Sequence, residues 1–121
     1  MLDNSNYQIY QMTVELLDYV EDYLNDVPED VVAKFLWFFD RIERDGEQGL
    51  HEMIVARDIK KIRGQKNVHL FELRVMRKIW YRVFFIKKSG GIVCGHGIVK
   101  KNRQTNQRDI ETATKRLKPY L

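Results

Sequence analysis

The hydrophobic residues of this chain change their period once, and that change sets the class of fold it can adopt. Up to about residue 45 apolar residues recur every three or four positions, and from Leu70 they recur every second position. The first spacing draws one stripe along a helix, and the second draws one face of a strand.

Leu16, Val20, Tyr23, Leu24 and Val27 form the first helical stripe, with acidic residues between them. Pro28 suits the first turn of a second helix, where its missing N–H costs no hydrogen bond. Val31, Phe35, Phe38 and Ile42 continue at steps of three and four, and Gly46 is the expected stop. The two segments are expected to form an antiparallel helical hairpin, with Trp37 and the phenylalanines in its core. Tyr7 to Met12 is the candidate for a short opening strand. Residues 47–68 carry no clear period; Met53, Ile54 and Val55 suggest a short buried piece.

In the second half Phe71, Leu73 and Val75 share one face, and Glu72 and Arg74 the other. Ile79–Ile86 is rich in aromatic and β-branched residues, as a central strand would be. Ser89-Gly90-Gly91 is a hairpin signal, and Ile92–Lys101 is the next strand. A closing helix follows. Thr105 or Asn106 is its cap, Ile110, Ala113 and Leu117 its stripe, and Pro119 its stop. The expected fold is therefore α+β: a short N-terminal strand, a helical hairpin, a three-stranded antiparallel meander and a C-terminal helix. Residues 1–121 are read as one domain, with helices on one face of the sheet and the other face free to work.

Charge is divided as sharply as the period. Residues 1–58 hold 4 Lys/Arg and 14 Asp/Glu, a net of −10; residues 59–121 hold 17 and 3, a net of +14. A half so basic attracts a polyanion, and nucleic acid is the first candidate. The lone cysteine, Cys94, forms no internal disulfide, and no Cys/His spacing matches a zinc site. The chain shows neither a signal-peptide pattern nor an apolar run of membrane-spanning length, so a cytoplasmic location, no membrane and no cofactor are expected.

Three places in the basic half stand out. Arg82 lies in the apolar run Trp80-Tyr81-Arg82-Val83-Phe84, where a charge must be paired, at an edge or facing a pocket. Glu72 is its structural partner if it is paired; otherwise it is placed to clamp a phosphate. Arg74 shares a face with Glu72 and would join Arg82 if the strands pair in register. In Gly95-His96-Gly97-Ile98-Val99-Lys100-Lys101, alternation puts Lys101 on the glycine face and His96 opposite, with Ile92, Cys94 and Ile98. A β-bulge, which glycine permits, would return His96 to the site. Lys60, Lys61, Arg63 and Lys66 before the strands, and Arg103 and Arg108 after them, are candidate RNA contacts. Glu72, Asp109 and Glu111 are the only carboxylates of this half, too few and too scattered for a two-metal nuclease. RNA offers a route without metal. Its own 2′-hydroxyl can attack the adjacent phosphate while cations stabilise charge and a side chain takes the proton.

Phe71-Glu72-Leu73-Arg74, Trp80-Tyr81-Arg82-Val83-Phe84, His96-Gly97-Ile98-Val99-Lys100-Lys101 and Arg108-Asp109-Ile110-Glu111, in that order, resemble the HigB branch of the RelE/ParE toxin superfamily and its phage-derived relatives. Lys60-Lys61-Ile62-Arg63-Gly64 is similar to the basic stretch before the "WELR" strand of that branch. The resemblance covers residues 28–121 well and the first 27 in outline. It implies a toxin–antitoxin component that cuts mRNA on the ribosome without metal and is neutralised by a co-encoded helix-turn-helix antitoxin. It also implies that Arg82 is the transition-state arginine, Lys101 the basic residue after the last strand with Lys100 beside it, and Arg74 the "ELR" arginine. On that basis Arg82→Ala should remove toxicity and leave the fold intact. The late catalytic tyrosine of RelE has no counterpart, Ile110 lying nearest, which leaves the general base open among Lys60, Lys61 and His96. Some superfamily members poison gyrase instead, so a non-catalytic toxin acting by protein binding, or a degenerate binding module, stands as the alternative.

Overall fold

The computed structural model describes residues 11–62 and 68–121. Its elements run β1 (Thr13–Leu16), α1 (Asp18–Asp26), α2 (Glu29–Val55), β2 (Ile59–Ile62), β3 (Leu70–Met76), β4 (Trp80–Lys88), β5 (Gly91–Lys100) and α3 (Gln107–Leu117), closed by a 3-10 turn at Lys118–Tyr120. The fold is α+β, as the change of period implies. The predicted meander is present, β3, β4 and β5 pairing antiparallel. It forms the centre of a five-stranded sheet in the order β1-β5-β4-β3-β2.

Both outer strands depart from the expectation. β1 comprises Thr13–Leu16, later than the predicted Tyr7–Met12, whose first four residues lie outside the described residues. It pairs parallel to β5, Thr13 opposite Gly91 and Leu16 opposite Cys94. A Cβ at Gly91 would overlap Thr13, so glycine is what lets the two strands meet there. β2 lies in the stretch that showed no period. Its burial runs buried, exposed, exposed, buried, so Lys60 and Lys61 hide the alternation that marks a longer strand.

α2 runs on through Gly46 to Val55. Gly46 breaks the helical path with φ 58° and ψ −136°, a conformation open to glycine, and the chain then re-enters a helix. Met53 is thereby carried into the core. The predicted stripe Val31, Phe35, Phe38 and Ile42 is buried, as is Phe39. Trp37 is not in the core. It is half exposed, with Lys34 Nζ 4.4 Å from its ring centroid, because it falls on the outer side of the helix.

Helices cover both faces of the sheet, which corrects the expectation of one free face. α1 and α2 pack on Leu73, Val83, Phe85, Ile92 and Cys94. α3 packs its Ile110, Ala113 and Leu117 on Leu70, Phe84, Ile86, Val93 and Ile98. The register shift between Phe84 and Phe85 explains the division. Phe84 pairs with His96 and Phe85 with Cys94, which leaves Gly95 as the extra residue of a bulge. Simple alternation would group His96 with Ile92 and Cys94. The bulge instead turns Ile92 and Cys94 toward α1 and α2, and His96 and Ile98 toward α3. The glycines serve this packing. A Cβ at Gly95 would overlap Leu117 of α3, and one at Gly97 would overlap the Tyr23 ring of α1. Tyr23 is fixed there by its hydroxyl, which donates to the Ile98 carbonyl at 2.7 Å.

Candidate functional site

The α3 face of the meander carries its polar residues in rows across the strands. Met76, Trp80 and Lys100 form one row, Arg74, Arg82 and Ile98 the next, and Glu72, Phe84 and His96 the third; Lys60 of β2 extends the third row beside Glu72. Arg74 and Arg82 are thus direct neighbours on one face, as in-register pairing requires.

Arg82 is 0% exposed, and so is Glu72. Its Nε stands 3.2 Å from Glu72 Oε1, though without the alignment of a hydrogen bond. The two terminal nitrogens reach outward. One donates to the carbonyls of Asn102 and Arg103 at 3.0 and 2.6 Å. The other donates to the Gln104 carbonyl at 3.1 Å and the Thr105 hydroxyl at 3.3 Å. That hydroxyl donates in turn to Glu72 Oε2 at 2.7 Å. Of the two sequence readings, the geometry matches the paired one. The guanidinium is spent on a carboxylate and on the loop after β5, and no edge of it faces solvent. A buried charge of this kind needs every partner it has. Burial draws its pKa down and the Glu72 charge opposes that. Arg82 therefore acts on the loop that carries Lys101 and Arg103, holding three successive carbonyls against the sheet.

Beside this clamp runs a second polar chain. Lys100 Nζ lies 3.2 Å from Asp109 Oδ2, and His96 Nε2 lies 3.3 Å from Asp109 Oδ1. A guanidinium nitrogen of Arg116 is 2.9 Å from His96 Nδ1, and the same guanidinium sits 3.8 Å over the Tyr19 ring. Arginine can only donate and an ionised carboxylate can only accept, so these partners select the neutral imidazole with hydrogen on Nε2. Burial holds the His96 pKa below the ordinary histidine value; Asp109 opposes the shift and Arg116 adds to it. The Phe84 ring stacks on the imidazole at 5.8 Å.

The sign of the pH effect follows. Because the folded protein binds this proton less readily than the unfolded chain, His96 stabilises the fold fully above pH about 6.5. That contribution falls away as pH drops through the folded value. Wild-type protein is expected to lose more melting temperature than His96→Gln between pH 7.5 and 5.5, the glutamine amide keeping one donor and one acceptor without titrating. Equal slopes in a thermal-melt series would show that His96 does not carry the effect.

The remaining candidates are distributed as follows. Arg74 donates to the Arg57 carbonyl at 2.6 Å. Lys61, Lys101, Arg103 and Arg108 are exposed, and Lys60 is exposed beside a cavity of about 570 Å³ that it lines with Lys61, Ile62, Gln104, Thr105 and Ile110. Arg63 and Lys66 lie outside the described residues. Asn106 caps α3 by accepting from the Arg108 amide at 2.9 Å, which sets Arg108 in the first helical turn, just after the clamped loop. The sequence reading missed Asp109, Arg116 and Thr105 as site residues. Asp109 and Arg116 are seven positions apart, two turns on one side of α3, beside the apolar stripe; that spacing was the available signal. Among the described residues no cluster of three or more His, Cys, Asp or Glu side chains could hold a metal ion, and no helix is long and apolar enough to cross a membrane.

Comparison with known proteins agrees with this architecture. Residues 22–118 match the family described as Phage derived protein Gp49-like (DUF891). No curated protein matches the sequence. Among solved structures the fold is similar to a chain in the crystal structure of the toxin–antitoxin complex RelBE2 from Mycobacterium tuberculosis, with a TM-score of 0.51 and 15% identity, over 78% of this chain and 97% of that one. At that identity the likeness is one of fold. The family match spans most of the sequence, including both the clamped loop and the strands beneath it: the chain belongs to the phage-derived Gp49-like (DUF891) proteins.

Proposed function

We propose that this chain is the toxin of a toxin–antitoxin pair and acts as a metal-independent endoribonuclease on mRNA engaged by the ribosome, in the cytoplasm. The observation that carries the reading is the loop at 101–106. Arg82 pins its backbone to the sheet, so Lys101 and Arg103 are carried on a fixed support, with Lys100 just before them, Arg108 in the first turn of α3 just after them, and Lys60 lining a cavity together with Gln104 and Thr105 of the loop. A rigid set of cations from separate elements suits a phosphodiester whose charge grows in the transition state.

In the reaction the 2′-oxygen attacks phosphorus, the bond to the 5′-oxygen breaks, and the 2′-proton passes to a base while the 5′-oxygen gains one from an acid. The products are a 2′,3′-cyclic phosphate and a 5′-hydroxyl. Lys100 and Lys101 stabilise the charge; Arg74, beside Arg82 in the next row of the face that carries Lys100, is the further cation. Lys60 and Lys61 are the candidate proton acceptors; His96, the third candidate, would have to release its Nδ1 from Arg116 before it could take a proton. A co-encoded helix-turn-helix antitoxin is the proposed partner. The similar solved structure is itself a toxin–antitoxin complex, and the basic half favours an acidic or helical cover.

The test is to induce the chain in cells, with and without the protein encoded beside it, and to map mRNA ends. New ends within coding regions, carrying 5′-hydroxyls and suppressed by the neighbour, are expected. Growth arrest with intact mRNA and accumulating DNA breaks would instead identify a gyrase poison.

A further inference from the structure

Trp80 occupies an unusual place for a large aromatic residue. It opens β4 at the end of the sheet and sits on the α3 face, in the row that reads Met76, Trp80, Lys100. The guanidinium carbons of Arg74 and Arg82 each lie 5.6 Å from its ring centroid. Arg82 is wholly buried while Trp80 is only partly so. The indole thus packs beside both arginines while remaining partly exposed itself. Met76, beside it, is about half exposed. Lys100 is directly across the strand pair, and side chains so placed are about 5 Å apart at Cβ.

A partly exposed indole beside two cations and flanked by a lysine matches the repeating unit of a single strand: a flat base, then a phosphate one step along. Stacking on such a face tolerates any base, and the phosphate supplies the charge for the lysine. We propose that Trp80 is a base-stacking subsite for single-stranded RNA, with Lys100 taking the phosphate next to the stacked base. The inference rests on the endoribonuclease reading and adds to it a position on the RNA. The nucleotide stacked on Trp80 neighbours the scissile bond, and a duplex, whose bases are already stacked on one another, is excluded.

The probe is a seven-nucleotide 2′-O-methyl RNA, which cannot be cut because its 2′-oxygen carries no proton. The protein has two tryptophans, so in a Trp37→Phe background all indole fluorescence comes from residue 80. Binding of the probe is expected to quench that fluorescence. In the otherwise wild-type protein Trp80→Leu is expected to weaken binding roughly 5- to 150-fold, the range of one base–aromatic stack. Trp80→Tyr should restore most of the affinity. Lys100→Gln should lower the slope of log affinity against log salt by about 0.7, the loss of one single-strand phosphate contact. A folded Trp80→Leu protein that binds the probe as tightly as wild type overturns the subsite. So does binding that leaves the indole unquenched. Either result leaves the nuclease reading standing, since mRNA cleavage in cells is measured separately. Absence of cleavage in those cells removes the nuclease reading and this inference together.

Discussion

Arg82→Ala is expected to cost about 3–5 kcal/mol of folding stability, the usual penalty for leaving one member of a buried ion pair alone. The sequence reading anticipated a folded, inactive protein from this change; the burial of both residues overturns that expectation. Glu72 would remain in the interior with only the Thr105 hydroxyl to satisfy it, and three loop carbonyls would lose their donor. For a domain of this size a loss of that order is a large part of the whole. The companion variant separates two causes. Glu72→Leu with Arg82→Leu removes both charges and recovers much of the stability, yet it restores no donor to the carbonyls of residues 102–104. Urea melts should therefore show the double variant more stable than Arg82→Ala, while mRNA cleavage stays absent from both. Cleavage at the wild-type rate by the folded double variant would show that the loop needs no anchor from the sheet.

Removing Lys100 and Lys101 together should do the opposite, sparing the fold and stopping the chemistry. Lys101 is exposed, and the Lys100–Asp109 pair is partly solvated at 3.2 Å, so truncation costs at most about 1 kcal/mol. On the proposed reading the same two side chains flank the reacting phosphate, and there their loss weighs far more. The loss of one preorganised charge-stabilising group commonly slows an enzyme by about 100-fold or more. The Lys100→Ala, Lys101→Ala protein is expected to melt within a few degrees of wild type and to cut mRNA at least about 100-fold more slowly, read by primer extension over time after induction. Replacing both with arginine keeps the charge and should return part of the rate. A well-folded double-alanine protein that cuts as fast as wild type would move the active centre elsewhere on the molecule.

The fold was largely legible because its two halves use different periods, and period survives without knowledge of neighbours. Val31, Phe35, Phe38 and Ile42 announced a helix, and Phe71, Leu73 and Val75 a strand, from spacing alone. The edge strands were not legible. β1 and β2 have four residues each, too short for alternation to rise above chance, and what makes them strands is a partner distant in sequence. Trp37 shows the limit of composition: its size argues for the core, and its angle on the helix decides against it.

The site was half visible. Arg82, Arg74, Lys100 and His96 stood out by residue type, and register does bring all four to one face. Their roles depended on things no local pattern carries. The bulge at Gly95 reverses the facing of every residue on one side of it, so alternation counted from Ile92 misplaces His96. Glu72 and Thr105 enclose Arg82 across 33 positions of chain, and Asp109 reaches Lys100 and His96 only once α3 has docked.

The parallel pairing of Thr13 with Gly91 has a consequence for the order of assembly. Among the described residues the first strand waits for the last. A nascent polypeptide that has not yet exposed residues 91–94 has nothing for β1 to join, and closing so long a loop is among the slower events in forming a sheet. The loop that Arg82 anchors follows β5 directly and is made later still. The cationic centre is therefore completed only once residues 91–106 are out. A ribosome that stalls early on this message releases fragments without it.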